Sequence, residues 1–509
     1  MSAELPTASL KRNVAANYLG QGWRAVMSLA FVPVYIRFIG MEAYGLIGLF
    51  AVLQAWMILL DMGMKPALQR EMARFSGGGV SVQEIRDLLR TVEVLAFALA
   101  ACAAIGVWAL SGWLAGNWLK TQDLDLRDVA NAVALMGVVA ALRFVEAIYV
   151  GSVIGLQRQV LENSVSSALA TLRAAGAVAV LAWISPTINA FFAWQGIVSV
   201  LTVAIYGPVV YRLLPRPPRR PRFSREALLG IWRFAAGMIV ISLMSLLLTQ
   251  VDKMVLSRLL PLKVFGYYAL AGSVAAVLYT LNMPITTAFY PRFVELVTQH
   301  EQDALRSVYH AAAQLVTVIV GTAAVMLILF ADRLLLVWAG NPELVTNVAP
   351  LLTVIAMGAL LNVLMWIPYY LQLAHGWTRL MVIVNTVAVA LLVPAILVLV
   401  PRYGPLAAAW VWVSLNAGYV LFVIGLMHRR LLPTEMGRWY REDVGLPLAL
   451  AILVAWLCRM VLPAHLPRVG EMIVLGATGA LALGAAALAA PRVRALLLRH
   501  LRGWRRSPV

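Results

Sequence analysis

Apolar segments long enough to cross a membrane follow one another along almost the whole chain. A helix needs roughly 20 apolar residues to cross the hydrocarbon layer. Such segments should be helical, because backbone polar groups that face lipid must be satisfied within their own segment. The sequence therefore predicts an all-α polytopic membrane protein with about fourteen transmembrane helices. The approximate spans are 13–37, 42–62, 91–116, 129–155, 164–184, 188–212, 235–258, 266–290, 309–332, 348–371, 379–400, 405–426, 445–463 and 471–490.

Composition and charge agree with a membrane location. The chain has 509 residues, of which 62% are hydrophobic and 13% are charged, and its mean hydropathy is +0.84. The net charge of +18 does not indicate nucleic-acid binding, since most of it lies in short loops between apolar spans. With the N-terminus inside, roughly 28 Lys and Arg fall on the inner side and about 8 on the outer side. Both termini are therefore predicted to be cytoplasmic.

An internal repeat with an offset of 221 residues relates the two halves of the chain. YIRFIGMEAYGLIGL at 35–49 aligns with LSRLLPLKVFGYYAL at 256–270, so that Gly45 falls on Gly266. Six spans per half let both halves enter the membrane from the same side, which makes this a parallel repeat. The predicted domains are an N-terminal six-helix lobe (1–213), a basic cytoplasmic linker (214–234), a C-terminal six-helix lobe (235–428), and two accessory transmembrane helices with a basic cytoplasmic tail (429–509).

Two stretches between the spans carry predictions of their own. Residues 214–222 are rich in Pro and Arg, so we expect them to be extended rather than helical. Their charge is interpreted mainly as a topology signal, with contact to anionic lipid as an alternative. Residues 82–90 follow three consecutive glycines and are predicted to form an amphipathic surface helix.

The first span has a polar face, and the seventh span has one at the equivalent positions. Polar residues spaced by three and four lie on one side of a helix. Arg24 lies near mid-span, where an ionisable residue usually faces a bundle interior or a water-filled cavity. We therefore predict a cavity role for Arg24, with a buried structural ion pair as the rival interpretation. The two faces comprise Asn17, Gln21, Arg24 and Ser28, and Ser242, Ser245, Thr249 and Asp252.

Further ionisable residues lie inside other spans. Arg143 and Glu146 in the fourth span are three residues apart and can pair on one helical face. A structural pair and a pair that opens for an anionic ligand both remain possible for them. Arg173 in the fifth span and Arg459 in the thirteenth span are weaker candidates.

Charged residues near span ends are candidates for binding, gating or ion coupling. Lys253 and Asp252 lie near the outer end of the seventh span, where Lys253 can contact substrate or extend to the membrane surface. Asp61 and Arg292 lie near the inner ends of the second and eighth spans and are predicted gate contacts. Glu146, together with Asp252 and Asp61, is a candidate for exchanging a proton or a sodium ion.

Aromatic and amide side chains share one face of the tenth span. They comprise Asn362, Trp366, Tyr369 and Tyr370. Aromatic faces can stack on sugar rings, but this end of the helix is where an aromatic belt belongs. The belt is the favoured interpretation.

Sequence signals of an enzyme or a metalloprotein are not found. None of the five lysines follows a glycine, so there is no Gly-Lys-Ser/Thr phosphate loop. There is no GxSxG nucleophile elbow either. Cys102 and Cys458 lie inside apolar spans, and the six histidines form no metal-binding pattern. We therefore predict a protein that is not an enzyme and that holds no metal or cofactor.

The residues around the repeat resemble a known family. PVYIRFIGMEAYGLIGLF with LDMGMKPALQREMAR in the first half, and DKMVLSRLLPLKVFGYYALAG with PITTAFYPRF in the second, resemble the polysaccharide-exporter branch of the multidrug/oligosaccharidyl-lipid/polysaccharide superfamily. The likeness is greatest to Wzx-type O-antigen and capsule repeat-unit flippases. It implies a V-shaped pair of six-helix lobes around a central cavity. By their position in the spans, Arg24 and Arg143 correspond to the cationic cavity residues of that family.

The resemblance also implies a function and partners. The expected activity is transfer of undecaprenyl-pyrophosphate-linked oligosaccharide from the inner to the outer leaflet of the bacterial inner membrane by alternating access. A proton or sodium gradient is a possible energy source. Expected partners are the lipid-linked glycan and membrane lipids, with a polysaccharide polymerase and a chain-length regulator as further candidates, and no nucleic acid.

Several other functions remain open from the sequence. One is a lipid II flippase, and another is a cation-coupled multidrug exporter of the same superfamily. Multidrug exporters of this kind typically use intramembrane acids for cationic drugs, whereas Arg24 at mid-span favours an anionic cargo. A different class is a non-transporting membrane scaffold or a glycosyltransferase in glycan assembly.

Overall fold

The fold consists of long helices joined by short connections. The computed structural model describes residues 7–61, 63–463 and 466–504. Within these residues there is no β-strand, and an isolated bridge joins Lys120 to Pro261. Twelve helical segments are long and apolar enough to cross a membrane. Helices at residues 7–30 and 225–259 complete the predicted fourteen, so the all-α polytopic prediction is confirmed.

The chain divides into two compact units, Met1–Gly266 and Tyr267–Val509. In the first unit, apolar side chains of the third, fourth, fifth and seventh helices form the main core. The predicted boundaries of the lobes and linker stay a prediction. The helices that begin in this unit are α1 (Thr7–Ala30), α2 (Val32–Asp61), α3 (Met64–Ser76), α4 (Val82–Trp113), α5 (Leu126–Gly155), α6 (Gln159–Trp183), α7 (Ile188–Leu213), α8 (Arg225–Leu259) and α9 (Leu262–Ala275), with a π-helical turn at Leu114–Trp118.

A glycine divides α2 into parts of two different spans. Gly40 has φ +80° and ψ 169°, a conformation that an L-residue with a side chain rarely adopts. Residues 32–39 therefore continue the first span from α1, and residues 41–61 form the second. This division agrees with the predicted spans 13–37 and 42–62.

The two glycines that the repeat aligns lie against each other within the first unit. A methyl group placed on Gly266 would lie 2.8 Å from the carbonyl oxygen of Met41 and 3.3 Å from the Cα of Gly45. A methyl group on Gly45 would clash with the carbonyl oxygen of Leu262. Glycine at both positions thus lets α2 and α9 approach until their backbones are in contact.

The connection at 214–224 is not helical, as predicted, and it is bound to the start of α4. The Arg86 Nη2 atom donates to the carbonyl oxygens of Tyr211 (2.8 Å) and Leu214 (2.7 Å). Asp87 accepts a hydrogen bond from the Arg222 backbone N–H at 2.8 Å and pairs with Arg219 at 3.3 Å. The polar first turns of α4 therefore serve as the docking surface for this connection.

The predicted surface helix at 82–90 is wrong. Val82 begins α4, which continues without a break to Trp113. Ser81 and Glu84 form a capping box, in which each side chain satisfies a backbone N–H of the first turn. The separate helix in this region is α3, which precedes the glycines rather than following them.

The second unit contains the remaining helices around two apolar clusters. One cluster lies around the tenth, eleventh and fourteenth helices, and the other lies against the two accessory helices. The elements are α10 (Val277–Thr298), α11 (Gln302–Val316), α12 (Thr322–Leu329), α13 (Ala331–Ala339), α14 (Pro342–Leu364), α15 (Trp366–Ala374), α16 (Arg379–Tyr403), α17 (Pro405–Gly418), α18 (Ile424–Leu431), α19 (Met436–Arg438), α20 (Leu446–Val461), α21 (Arg468–Ala489) and α22 (Pro491–Trp504), with π-helical turns at Thr317–Gly321, Tyr419–Val423 and Trp439–Gly445.

The accessory helices α20 and α21 pack on α12 and α13. Small residues such as Ala451 and Ala482 are buried at this contact, where they allow close approach of the backbones. Arg459 forms two hydrogen bonds of 3.0 Å with Asp332. Arg459, a weak candidate for the functional site, is thus a structural partner that holds α20 against α13.

Candidate functional site

The polar face of α1 lies against α6. Arg24 Nη1 is 3.3 Å from Glu162 Oε1, and Asn17 Oδ1 accepts a 2.6 Å hydrogen bond from Asn163. Gln21 is exposed. Gly20 allows the approach, because a methyl group there would clash with the Asn163 side chain. Arg24 therefore has the buried ion-pair partner that was its rival interpretation, yet its side chain keeps 32% exposure.

Glu162 connects Arg24 to a second row of polar groups. Its carboxylate accepts a hydrogen bond of 2.7 Å from Ser166. The Ser166 hydroxyl is 2.9 Å from the Tyr206 hydroxyl, which also donates to the Glu162 carbonyl oxygen at 3.2 Å. Since Glu162 is 6% exposed, this network fixes the carboxylate inside the helix bundle.

Arg143 and Glu146 do not pair with each other, although their spacing permits it. Arg143 Nη2 donates to Gln195 Oε1 at 3.0 Å, and its guanidinium lies 5.1 Å from the ring centre of Phe50. Glu146 pairs instead with Arg173 at 3.3 Å. Each residue takes its partner from a neighbouring helix: Arg143 contacts α7 and α2, and Glu146 contacts α6.

These side chains form a cluster with excess positive charge, which we call the cationic cluster. Its three guanidinium groups face two carboxylates, both of which already pair with an arginine. Among the described residues Arg143 forms no ion pair, and its buried Nε atom has no hydrogen-bond partner. A guanidinium without a direct ion-pair partner in a low-dielectric interior favours a bound anion. The cluster comprises Arg24, Arg143, Arg173, Glu146 and Glu162.

The other predicted site residues lie outside the cationic cluster. Asp61 Oδ1 accepts the Lys65 backbone N–H at 2.9 Å and so satisfies one donor of the first turn of α3. Lys253 lies 3.4 Å from Asp252 and donates to the Thr249 carbonyl oxygen at 2.7 Å. Arg292 pairs with Glu295, one helical turn away, at 2.6 Å. These contacts are local, and the predicted gating and coupling roles stay predictions. The side chains of Ser242 and Ser245 lie outside the described residues.

Sequence reasoning missed Glu162 and Gln195. Glu162 falls just before the predicted span 164–184, whereas the observed α6 begins at Gln159. Because the first turn of α6 is polar, Glu162 was left outside the predicted span. Gln195 is an uncharged residue within a span and drew no attention, although it is 5% exposed. An amide side chain within the apolar span 188–212 was the available signal.

A second polar group that the sequence did not reveal lies within the second unit. His310 on α11 is completely buried. Its Nε2 atom is 2.9 Å from Glu435 Oε2, and its Nδ1 atom bonds to Asp443. Gln314 donates to the other oxygen of Asp443 at 2.8 Å. These hydrogen bonds join α11 to the segment that precedes the accessory helices.

In the part of the chain that the structure describes, no group of three or more His, Cys, Asp or Glu side chains is arranged to hold a metal ion.

Solved structures of membrane transporters share this fold. The lipid II flippase MurJ in an inward closed conformation matches with a TM-score of 0.67 and 12% identity, over 94% of this chain and 98% of MurJ. An inward-facing MATE multidrug transporter of the MOP superfamily has a TM-score of 0.61 and 12% identity, over 82% and 95% of the two chains. A MOP-superfamily transporter from Pyrococcus furiosus matches with a TM-score of 0.54 and 14% identity, over 84% of this chain and 96% of its own chain.

Sequence comparison identifies the family. No curated protein sequence matches significantly. The family model described as "polysaccharide biosynthesis protein" matches residues 10–297, more than half of the chain. The matched region contains both copies of the repeated motif and the whole cationic cluster. The chain therefore belongs to the polysaccharide biosynthesis protein family, with the fold of multi-pass membrane transporters.

Proposed function

We propose that the protein is a flippase for undecaprenyl-pyrophosphate-linked oligosaccharide in a bacterial inner membrane. It would move these units from the inner to the outer leaflet by alternating access, for the synthesis of a surface polysaccharide. The observation that carries the proposal is the excess positive charge of the cationic cluster inside a member of a polysaccharide biosynthesis family. Pyrophosphate in a low-dielectric interior requires fixed positive charge, and guanidinium groups bind phosphate oxygens through paired N–H donors.

Arg143 is the residue best suited to this role. Arg24 and Arg173 each pair with a glutamate, whereas Arg143 is held by Gln195 and the ring of Phe50. An amide and an aromatic ring position the guanidinium without neutralising it. An arriving pyrophosphate therefore meets a full positive charge with N–H donors still available.

Lipid II is a second candidate substrate. The match to MurJ covers 94% of this chain, whereas the MATE match covers 82%. The greater coverage favours a lipid flippase over a drug exporter, and the positive charge of the cluster disfavours cationic drugs. Coupling to a proton or sodium gradient, and association with a polymerase or chain-length regulator, are further parts of the proposal without a residue assigned.

A leaflet-accessibility assay on reconstituted protein tests the proposal. Vesicles contain fluorescent undecaprenyl-pyrophosphate-linked oligosaccharide, or fluorescent lipid II, and a membrane-impermeant quencher reports the outer-leaflet fraction. We expect Arg143→Ala to lower the rate about 10- to 100-fold, since a charge-assisted hydrogen bond contributes about 1.5–3 kcal/mol. Arg143→Lys should recover part of the rate.

Arg74→Ala is the matched control. Arg74 is 53% exposed and pairs with Glu71 on the same helix, so its removal should leave transport unchanged. If Arg143→Ala transports at the wild-type rate, the role of the cationic cluster is wrong. If the wild-type protein moves neither lipid, the flippase function itself is refuted.

A further inference from the structure

Helix α10 carries a row of aromatic and polar side chains on one side. Tyr279, Asn282, Thr286 and Tyr290 are spaced by three and four residues and so share one helical face. The helix begins at Val277, directly after a turn that interrupts the eighth span. Interrupted transmembrane helices are typical of substrate sites in transporters.

A second row, on α14 and α15, faces the first. The rings of Trp366 and Tyr279 are stacked, with centres 6.1 Å apart and planes 24° apart. The rings of Tyr370 and Tyr290 are 5.2 Å apart. Trp366 is the first residue of α15, just after a turn that interrupts the tenth span as well. The Trp366–Tyr279 pair thus lies next to the breaks in both helices, and the Tyr290–Tyr370 pair lies further along the same two helices.

Amide side chains accompany the rings. Trp366 Nε1 donates to Asn362 Oδ1 at 3.2 Å, and Asn362 donates to Asn416 Oδ1 at 2.7 Å. Asn282 is completely buried, and among the described residues neither its amide nitrogen nor its amide oxygen has a hydrogen-bond partner. A buried amide without partners is costly and rare, so its retention needs a reason.

These positions do not suit an aromatic belt. Belt residues lie at the membrane surface toward lipid, whereas these rings meet between two helices of the second unit. The tenth span is also deeply buried, with 72% of its apolar stretch covered by protein. The rings are half-buried, so that part of each remains accessible.

We propose that these side chains form a carbohydrate-binding surface for the glycan part of the lipid-linked substrate. This inference rests on the proposed flippase function. The apolar C–H face of a sugar ring packs on an aromatic ring, while sugar hydroxyls exchange hydrogen bonds with amides. Asn282 becomes a partner for a hydroxyl when α10 and α15 separate at their breaks. The surface, which we call the aromatic–amide face, comprises Tyr279, Asn282, Tyr290, Asn362, Trp366 and Tyr370.

Two lipid probes separate the glycan from its carrier. One is undecaprenyl pyrophosphate, and the other is undecaprenyl-pyrophosphate-linked oligosaccharide extracted from the native host. Dissociation constants are measured on full-length protein in nanodiscs. We expect Trp366→Ala to weaken binding of the glycan probe about tenfold and to leave undecaprenyl pyrophosphate unaffected, as for a tryptophan at the centre of a binding surface. Trp366→Phe keeps an aromatic ring and should retain most of the affinity.

Trp456→Ala is the matched control, since Trp456 is 45% exposed on the accessory helix α20 and should affect neither probe. Equal loss for both probes in Trp366→Ala, or no loss for either, would overturn the carbohydrate-binding surface. The same conclusion follows if the wild-type protein binds both probes equally, while the flippase proposal survives. If the wild-type protein binds neither probe, both proposals fail.

Discussion

Replacing Gly266 by alanine tests whether the repeated glycines are required for the packing of α2 against α9. The added methyl group would lie 2.8 Å from the Met41 carbonyl oxygen, 3.2 Å from the Gly45 nitrogen and 3.3 Å from its Cα. All three are backbone atoms, so none can rotate away. The segment before α9 is also held, because Leu262 N–H donates to the Lys120 carbonyl oxygen at 2.9 Å.

The cost of this substitution follows from the required displacement. Restoring ordinary contact to Met41 means moving one helix by roughly half an ångström, and overpacking of this kind costs about 1–3 kcal/mol. Alanine also gains up to about 1 kcal/mol of helix propensity over glycine. Gly106→Ala on α4 measures that gain by itself, since no atom lies within 4 Å of a methyl group placed there. The difference between the two variants isolates the clash.

Thermal unfolding of the purified protein in detergent is the measurement. Gly106→Ala is expected to unfold at or above the wild-type temperature, and Gly266→Ala below it. Gly45→Ala should resemble Gly266→Ala, because its methyl group meets the Leu262 carbonyl oxygen. The reasoning is refuted if Gly266→Ala is as stable as Gly106→Ala.

Two further predictions concern polar contacts inside single units. Asp443→Ala removes the carboxylate that is hydrogen-bonded to the buried His310 and Gln314 side chains, which should cost about 1–3 kcal/mol and lower the unfolding temperature. Arg441→Ala, at 74% side-chain exposure, should change little; equal unfolding temperatures would contradict this. Arg86→Ala removes the donor to the carbonyl oxygens of Tyr211 and Leu214, where the connection at 214–224 begins. We therefore expect limited proteolysis to cut that connection several times faster than in wild type. An unchanged cleavage rate would show that the contact does not restrain the connection.

Hydropathy predicted the number of spans because each segment that crosses the membrane must itself be mainly apolar, wherever its neighbours lie. Hydropathy did not predict where some helices begin. The observed α4 begins nine residues before its predicted span, at Val82 instead of 91, since its polar first turns resemble a loop. Their contacts, such as those of Arg86 with Tyr211 and Leu214, come from residues more than a hundred positions away, which local hydropathy cannot register.

The sequence indicated the cationic residues of the candidate site but not the partners with which they form ion pairs. A guanidinium at mid-span is expensive wherever the helices pack, which is why the sequence predicted a site role for Arg24 and Arg143, and this role stays a prediction. The partner of each depends on tertiary structure. Glu146 lies one turn from Arg143 yet pairs with Arg173, and Glu162 was missed because it lies at the polar start of α6.

The two halves of the repeat differ in chemistry at aligned positions, and the proposed substrate gives a reason for the difference. Arg24 aligns with Ser245, and Asp61, which accepts the Lys65 backbone N–H, aligns with the buried Asn282. Charge in the first half is thus replaced by neutral hydrogen-bonding groups in the second. A pyrophosphate-linked glycan has an anionic end and a neutral polyhydroxylated end, and one type of site cannot bind both well. Guanidinium groups bind the first through charge, while aromatic rings and amides bind the second through packing and hydrogen bonds. Under the proposed flippase function, the differences at a few aligned side chains therefore fit the two copies of the repeat to the two ends of one substrate.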